Sequence, residues 1–199
     1  MNTWAPRVLH FALPIQSGER VAVFGKVSPV LLTSLKDGEV DIVTAEFDDD
    51  PDAAGRVDHA IVPGMPEESP AELCRRLARW VRPGGTVLLA AHNARHFSRR
   101  GRGGLTRTQG EQVLAEQGFS GIEVYGIRNK LRVPRHLVPL DHPGALGWYF
   151  TSAYLPNSIQ SVVMIRLLAR LRPSWLGPIL FPALAFVARR GPGTEGESC

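Results

Sequence analysis

LARWVRPGGTVLLAAHN, Leu77 to Asn93, is the stretch whose reading decides the fold. It reads as the end of an amphipathic helix, a Pro-Gly-Gly turn and a short apolar strand. Ser69 is placed to cap the helix, Pro70 takes its first position, and Glu72 can reach back to close a capping box. Leu73, Leu77, Trp80 and Val81 then fall on one face at helical spacing. Arg82-Pro83-Gly84-Gly85 stops the helix, because proline cannot continue it and glycine tolerates a left-handed turn. Thr86 to Ala91 is continuously apolar, as a strand buried on both faces of a parallel sheet must be. Helix, turn and buried strand together predict an α/β fold.

Working upstream, Arg20 to Gly25 reads as a first strand closed by a glycine. Ser28 and Pro29 open a helix through Leu35, and Val40 to Ala45 is a second strand followed by Glu46. Glu46-Phe47-Asp48-Asp49-Asp50-Pro51-Asp52 reads as a solvated acidic loop, and Val57 to Val62 as a third strand running into Pro63-Gly64. Downstream of the organising unit comes a basic, glycine-rich connection from His92 to Gly104 with Arg95, Arg99, Arg100 and Arg102. Thr106, with Gln109 three residues on, opens a helix that stops at Gly118. Phe119 to Ile127 is another strand, and Ala183 to Ala188 is the final one. Residues 129–182 break the pattern: a loop rich in proline and histidine, an aromatic patch at Trp148, Tyr149, Phe150 and Tyr154, and a helix near Ser158 to Leu171. The whole is read as one domain, residues 1–199, with an N-terminal extension over 1–18, a helical and loop insertion over 129–182 and a loose tail over 191–199.

The chain has 199 residues, 44 % of them hydrophobic and 21 % charged, which is a globular and not a disordered composition. Its net charge of +4 comes from 20 arginines against 3 lysines. That skew, with abundant Ala, Gly and Pro, points to a GC-rich bacterial genome rather than to a partner. No aromatic residues alternate with the basic ones as a single-strand-binding platform requires, so no nucleic acid is expected. The two cysteines, Cys74 and Cys199, offer neither a disulfide framework nor a metal-ligand spacing. No metal site is expected, and a reducing cytoplasm is the default location. The N-terminus has no basic start and apolar core of a signal peptide. The longest apolar segment, Leu176 to Ala188, is shorter than a spanning helix and holds two prolines.

The order of RVAVFG, VDIVTAE, VDHAIVPG, LARWVRPGGTVLLAAHN, LTRTQGEQVLAEQGF, GIEVYG and LAFVARR resembles the class I S-adenosylmethionine-dependent methyltransferase family, in a shortened and degenerate form. The resemblance implies a Rossmann-like, mostly parallel sheet whose last strand runs antiparallel between its neighbours, with the cofactor across the carboxyl ends of the first strands. It implies Gly25 beside the methionine part of S-adenosylmethionine, Glu46 on the ribose hydroxyls, and Pro63 and Gly64 beside the transferring methyl. His92, His96, His142 and Tyr149, with Asp141 and Tyr154, are the candidate acid/base groups for an acceptor.

Two departures bear on the cofactor. The loop after the first strand, Phe24-Gly25-Lys26-Val27-Ser28-Pro29, has one glycine where the family has several, and Val27 brings a branched side chain where the backbone would approach the ligand. Between Glu46 and Val57 stand only ten residues, Phe47 to Arg56, too few for the strand and crossover helix that wall the adenine side. One strand–helix unit is therefore expected to be missing and S-adenosylmethionine binding to be weakened. These departures favour a pseudoenzyme, an accessory subunit of a bacterial biosynthetic or modification complex, over an active methyltransferase for a small molecule or peptide. The region 137–180 is the expected partner surface. Its helix spreads Ile159, Val162, Val163, Ile165, Leu167 and Leu168 over a wide arc that needs cover on more than one side. A protein partner fits that need better than a membrane surface.

Overall fold

A computed structural model describes residues 12–25, 29–46, 49, 56–65, 69–96, 104–130, 133–149 and 181–192. The elements are β1 (Arg20–Phe24), α1 (Pro29–Lys36), β2 (Asp41–Ala45), β3 (Val57–Val62), α2 (Pro70–Trp80), β4 (Val81–His92), α3 (Arg107–Glu116), β5 (Phe119–Lys130), β6 (Val133–Pro139), α4 (Pro143–Trp148) and β7 (Ala183–Arg190). They build a seven-stranded sheet in the order β2-β1-β3-β4-β7-β5-β6. β2, β1, β3 and β4 pair in parallel, and β7 runs antiparallel between β4 and β5. This is the mostly parallel Rossmann-like sheet, with the expected antiparallel last strand. Among the described residues no strand lies beyond β2, in keeping with a missing strand–helix unit.

The central strands β1, β3, β4 and β7 are buried on both faces over most of their length. On one face Ala22, Val62, Val87, Leu89, Ala91 and Phe186 pack beneath Leu73, Leu77 and Trp80 of α2 and Leu114 of α3. On the other, Val21, Val23, Ile61, Leu88, Ala90 and Ala185 pack with Leu31 and Leu35 of α1 and with Leu13. The alternation of 87, 89 and 91 with 88 and 90 is the two-residue period of a strand. It explains why Thr86 to Ala91 carries no polar side. Phe24 meets Trp80 edge-on, ring centroids 5.3 Å apart, joining β1 to the end of α2.

Three local expectations need correction. Ser69 makes no side-chain cap; Glu72 instead pairs with Arg75 and Arg76 one turn on, and Pro70 alone sets the helix entry. The capping box forms at Thr106, whose hydroxyl accepts from the Gln109 N–H (3.2 Å) while the Gln109 side chain accepts from the Thr106 N–H (3.0 Å). Pro83-Gly84-Gly85 is not a free turn. It is absorbed into β4 as an irregularity, where the step from Val57 to His59 on β3 spans Val81 to Thr86 on β4. Arg189 and Arg190 at the end of β7 bond the carbonyls of Gly84 and Val81 and hold it there.

The last correction lies in the segment read as loop and helix. β5 continues to Lys130, and β6 returns antiparallel beside it as an additional edge strand, with Pro134 opposite Asn129 and Pro139 opposite Tyr125. Proline lacks the N–H for a two-sided ladder, so this sequence fits only an edge. The proposed helix near 158–171, Phe150, Tyr154 and the tail beyond 192 lie outside the described residues.

Candidate functional site at the carboxyl ends of the strands

Because β1 to β5 run the same way, their carboxyl ends gather on one rim of the sheet, and the antiparallel β7 begins there. Gly25 follows β1 with φ of 71°, a left-handed turn that favours glycine, and its N–H donates to Ala45 O at 3.2 Å. That bond carries the β1–β2 ladder one step beyond the strands. Glu46 follows β2 with its side chain exposed, and its N–H donates to Asp49 Oδ2 at 2.7 Å. Pro63 is buried and Gly64 half-buried after β3. The four residues assigned to the cofactor by resemblance thus lie on one rim, at the ends of three adjacent strands.

β4 delivers His92, half-buried, and then Asn93, which sequence reasoning passed over. Asn93 is 1 % exposed. Its Nδ2 donates to Phe181 O (2.7 Å), its N–H to Pro182 O (3.1 Å), and its Oδ1 accepts from the Arg95 N–H (3.0 Å). A buried amide satisfied this way fixes the rim, since any lost partner would leave a desolvated polar group. The only sequence signal was a polar residue closing an apolar strand. The chain leaves at Ala94 and returns at Leu105, whose N–H donates to His92 O (2.9 Å). Gly104 is required at this closure, because a Cβ there would lie 2.5 Å from His92 O. Arg99, Arg100 and Arg102 lie outside the described residues.

The acid/base candidates separate. His92 stands on the rim. His96 is buried beside it, its N–H bonded to Asn93 O (3.2 Å). Tyr149 is buried, its ring 5.6 Å from that of Phe181, so it packs as part of the core. His142 is exposed at the start of α4, two residues after Leu140, whose N–H bonds Val124 O midway along β5. Asp141 is engaged by Arg107, which also holds Glu111 at 2.8 Å.

The opposite rim carries a polar network that the sequence did not disclose. His59 of β3, 4 % exposed, lies between Glu19 Oε2 (2.8 Å from Nε2) and Thr86 Oγ1 (2.5 Å from Nδ1). A carboxylate can only accept, so Nε2 donates to Glu19 and, in the neutral ring, Nδ1 accepts from the Thr86 hydroxyl. The Gln16 N–H, bonded to the Glu19 carboxylate, holds it below its ordinary pKa, with help from His59. Burial pushes Asp58 up, but the Arg20 N–H and Arg82 outweigh it and bring the carboxyl below its usual range. This network ties the residues before β1 to β3 and β4. Among the described residues no cluster of His, Cys, Asp and Glu is placed to hold a metal ion, and no helix is long and apolar enough to cross a membrane.

No protein-family model and no curated protein matches the sequence. Solved structures do. A SAM-dependent methyltransferase from Archaeoglobus fulgidus superposes with a TM-score of 0.55 at 11 % identity, over 88 % of this chain and 87 % of that one. Phosphoethanolamine N-methyltransferase 2 of Haemonchus contortus, in complex with S-adenosyl-L-methionine, gives 0.53 at 13 % identity over 92 % of this chain and 51 % of that one. The chain therefore spans about half the length of the Haemonchus enzyme. The [4+2]-cyclase SpnF gives 0.50 at 13 % identity over 94 % and 80 %. At these identities the likeness shows the fold: the chain has the class I S-adenosylmethionine-dependent methyltransferase fold, in shortened form.

Proposed function

We propose that this is a methyltransferase-fold protein with an abbreviated nucleoside side, acting as a non-catalytic accessory subunit of a bacterial biosynthetic or modification complex. The observation that carries the reading is the position of β2. It is the edge of the sheet among the described residues, and only ten residues, Phe47 to Arg56, separate Glu46 from β3. A ligand whose sugar lay on Glu46 would have little on its adenine side to exclude water, and binding energy for a nucleoside comes largely from such enclosure. The partner would cover the region 137–180, where the sequence places an apolar arc too wide for one sheet face. SpnF, a cyclase by its name, supports the view that this fold serves ends other than methyl transfer.

The second reading, an active methyltransferase for a small molecule or peptide, is favoured by the left-handed Gly25 and the exposed Glu46 at the ends of adjacent strands. Those residues fit the methionine and ribose ends of S-adenosylmethionine, which when bound would supply an electrophilic methyl group. Titration calorimetry with S-adenosylmethionine and S-adenosylhomocysteine separates the readings. The accessory reading expects no saturable heat and no thermal stabilisation. Micromolar binding that is lost in both Glu46→Ala and Gly25→Val overturns it.

A further inference from the structure

We infer that the outer edge of β2, unpaired among the described residues, is a docking site for an extended basic segment of a partner protein, which adds to the sheet as its eighth strand. In a parallel pair the N–H and C=O of one residue face the same neighbour, and the direction alternates along the strand. The Asp41 N–H donates to Glu19 O (3.0 Å) and Ala45 O accepts from the Gly25 N–H (3.2 Å), so Asp41, Val43 and Ala45 face β1. The peptide groups of Ile42 and Thr44 then face outward. Among the described residues nothing bonds to them, and no strand lies beyond. An unpaired edge of this kind is a template for strand addition.

Charge selects the occupant. Exposed acids flank the edge at both ends: Asp37 and Glu39 before β2, Glu46 and Asp49 after it. Among the described residues two cations stand near them, the exposed Lys36 and Arg20, whose Nε pairs with Asp41 Oδ2 at 3.3 Å, so acids outnumber bases along this edge in a chain whose net charge is +4. A second copy is the wrong partner. Antiparallel pairing of β2 with itself about Val43 would set the Glu39–Asp41 end of one copy beside the Glu46 end of the other, acid against acid. An extended segment with apolar, β-branched residues at its centre and Arg or Lys at both ends satisfies the open peptide groups and both acidic flanks. The inference deepens the accessory reading by naming the partner's chemistry. The two fail separately, because the cofactor titration reads the carboxyl rim and this one reads the sheet edge.

The probe is a synthetic peptide of alternating valine and threonine with arginine pairs at each end, compared with the same peptide flanked by glutamate pairs. The arginine peptide is expected to bind saturably and to slow amide exchange at Ile42 and Thr44 by about tenfold or more, the glutamate peptide to do neither. Thr44→Pro removes an outward N–H at a position where an edge strand accepts proline, so it keeps the fold and loses the peptide. Asp37→Lys, at an exposed acid outside the carboxyl rim, weakens the arginine peptide about twofold or more without touching the edge. Failure of the arginine peptide to bind, equal binding of the two peptides, or Ile42 and Thr44 amides in the free protein as protected as those of β1 each overturns the inference.

Discussion

The two halves of the sheet are built to different standards. β2, β1 and β3 have 5, 5 and 6 residues and pair only in parallel, and among the described residues the outer edge of β2 is open. β4, β5 and β7 have 12, 12 and 8 residues, pair antiparallel through β7, and end on an edge strand carrying two prolines. Parallel pairing is slightly weaker per residue, and short strands leave fewer bonds in the ladder. The half that would hold a ligand is thus the slighter one, and the antiparallel half is the platform. Prolines close the outer edge of the platform to further pairing, whereas nothing in DIVTA, the sequence of β2, does so.

The largest effect that tests this contrast lies in the platform. Phe186 is fully buried beneath α3, so Phe186→Ala should cost about 3–5 kcal/mol by urea denaturation. Ile42→Ala on half-buried β2 should cost under about 1.5 kcal/mol. Equal losses would break the distinction between the halves. A smaller effect sharpens it. Gly110 of α3 lies so close to Phe186 that a Cβ would sit 2.3 Å from the ring. Alanine is normally the better helix former, yet Gly110→Ala should destabilise by about 1–3 kcal/mol through overpacking. Most of that loss should return in the double variant with Phe186→Leu.

The smallest effect concerns acid. Glu19 and Asp58 titrate below their ordinary values when folded, so the unfolded chain binds more protons in that range and stability rises with pH. Their contribution is full above about pH 5 and falls away below about pH 4. Because Glu19 is partly exposed, solvent screens its share, and Glu19→Gln should flatten the acid limb of the denaturation midpoint only modestly. Asp58→Asn should flatten it further. An unchanged acid limb in both would mean that the network at the amino rim contributes nothing to holding β1, β3 and β4 together.

Most strands were legible because their signal is local. Runs such as VAVF and AIV have to be buried wherever the chain folds, and the order of such runs with helices between them already implies a doubly covered sheet. Thr106 and Gln109 announced their cap correctly for the same reason. Ser69 and Glu72 did not, because Arg75 and Arg76 compete for the same carboxylate, a contest that a motif does not display. β6 was missed because its prolines and histidine read as loop; only the partner strand β5, with Pro139 opposite Tyr125, makes an edge strand of it.

The cofactor-side residues could be placed on one rim from sequence order alone, since strands in parallel put their ends together. Asn93, the Glu19–His59–Thr86 chain and the burial of Tyr149 could not, because each depends on groups far apart along the chain. By itself the sequence determined most of the strands and helices, and that the connection after Glu46 is short, since those follow from periodicity and length. Only the tertiary structure decided that β6 is recruited as an edge strand beside β5. Pairing is a contest among distant strands, and no single segment records its outcome.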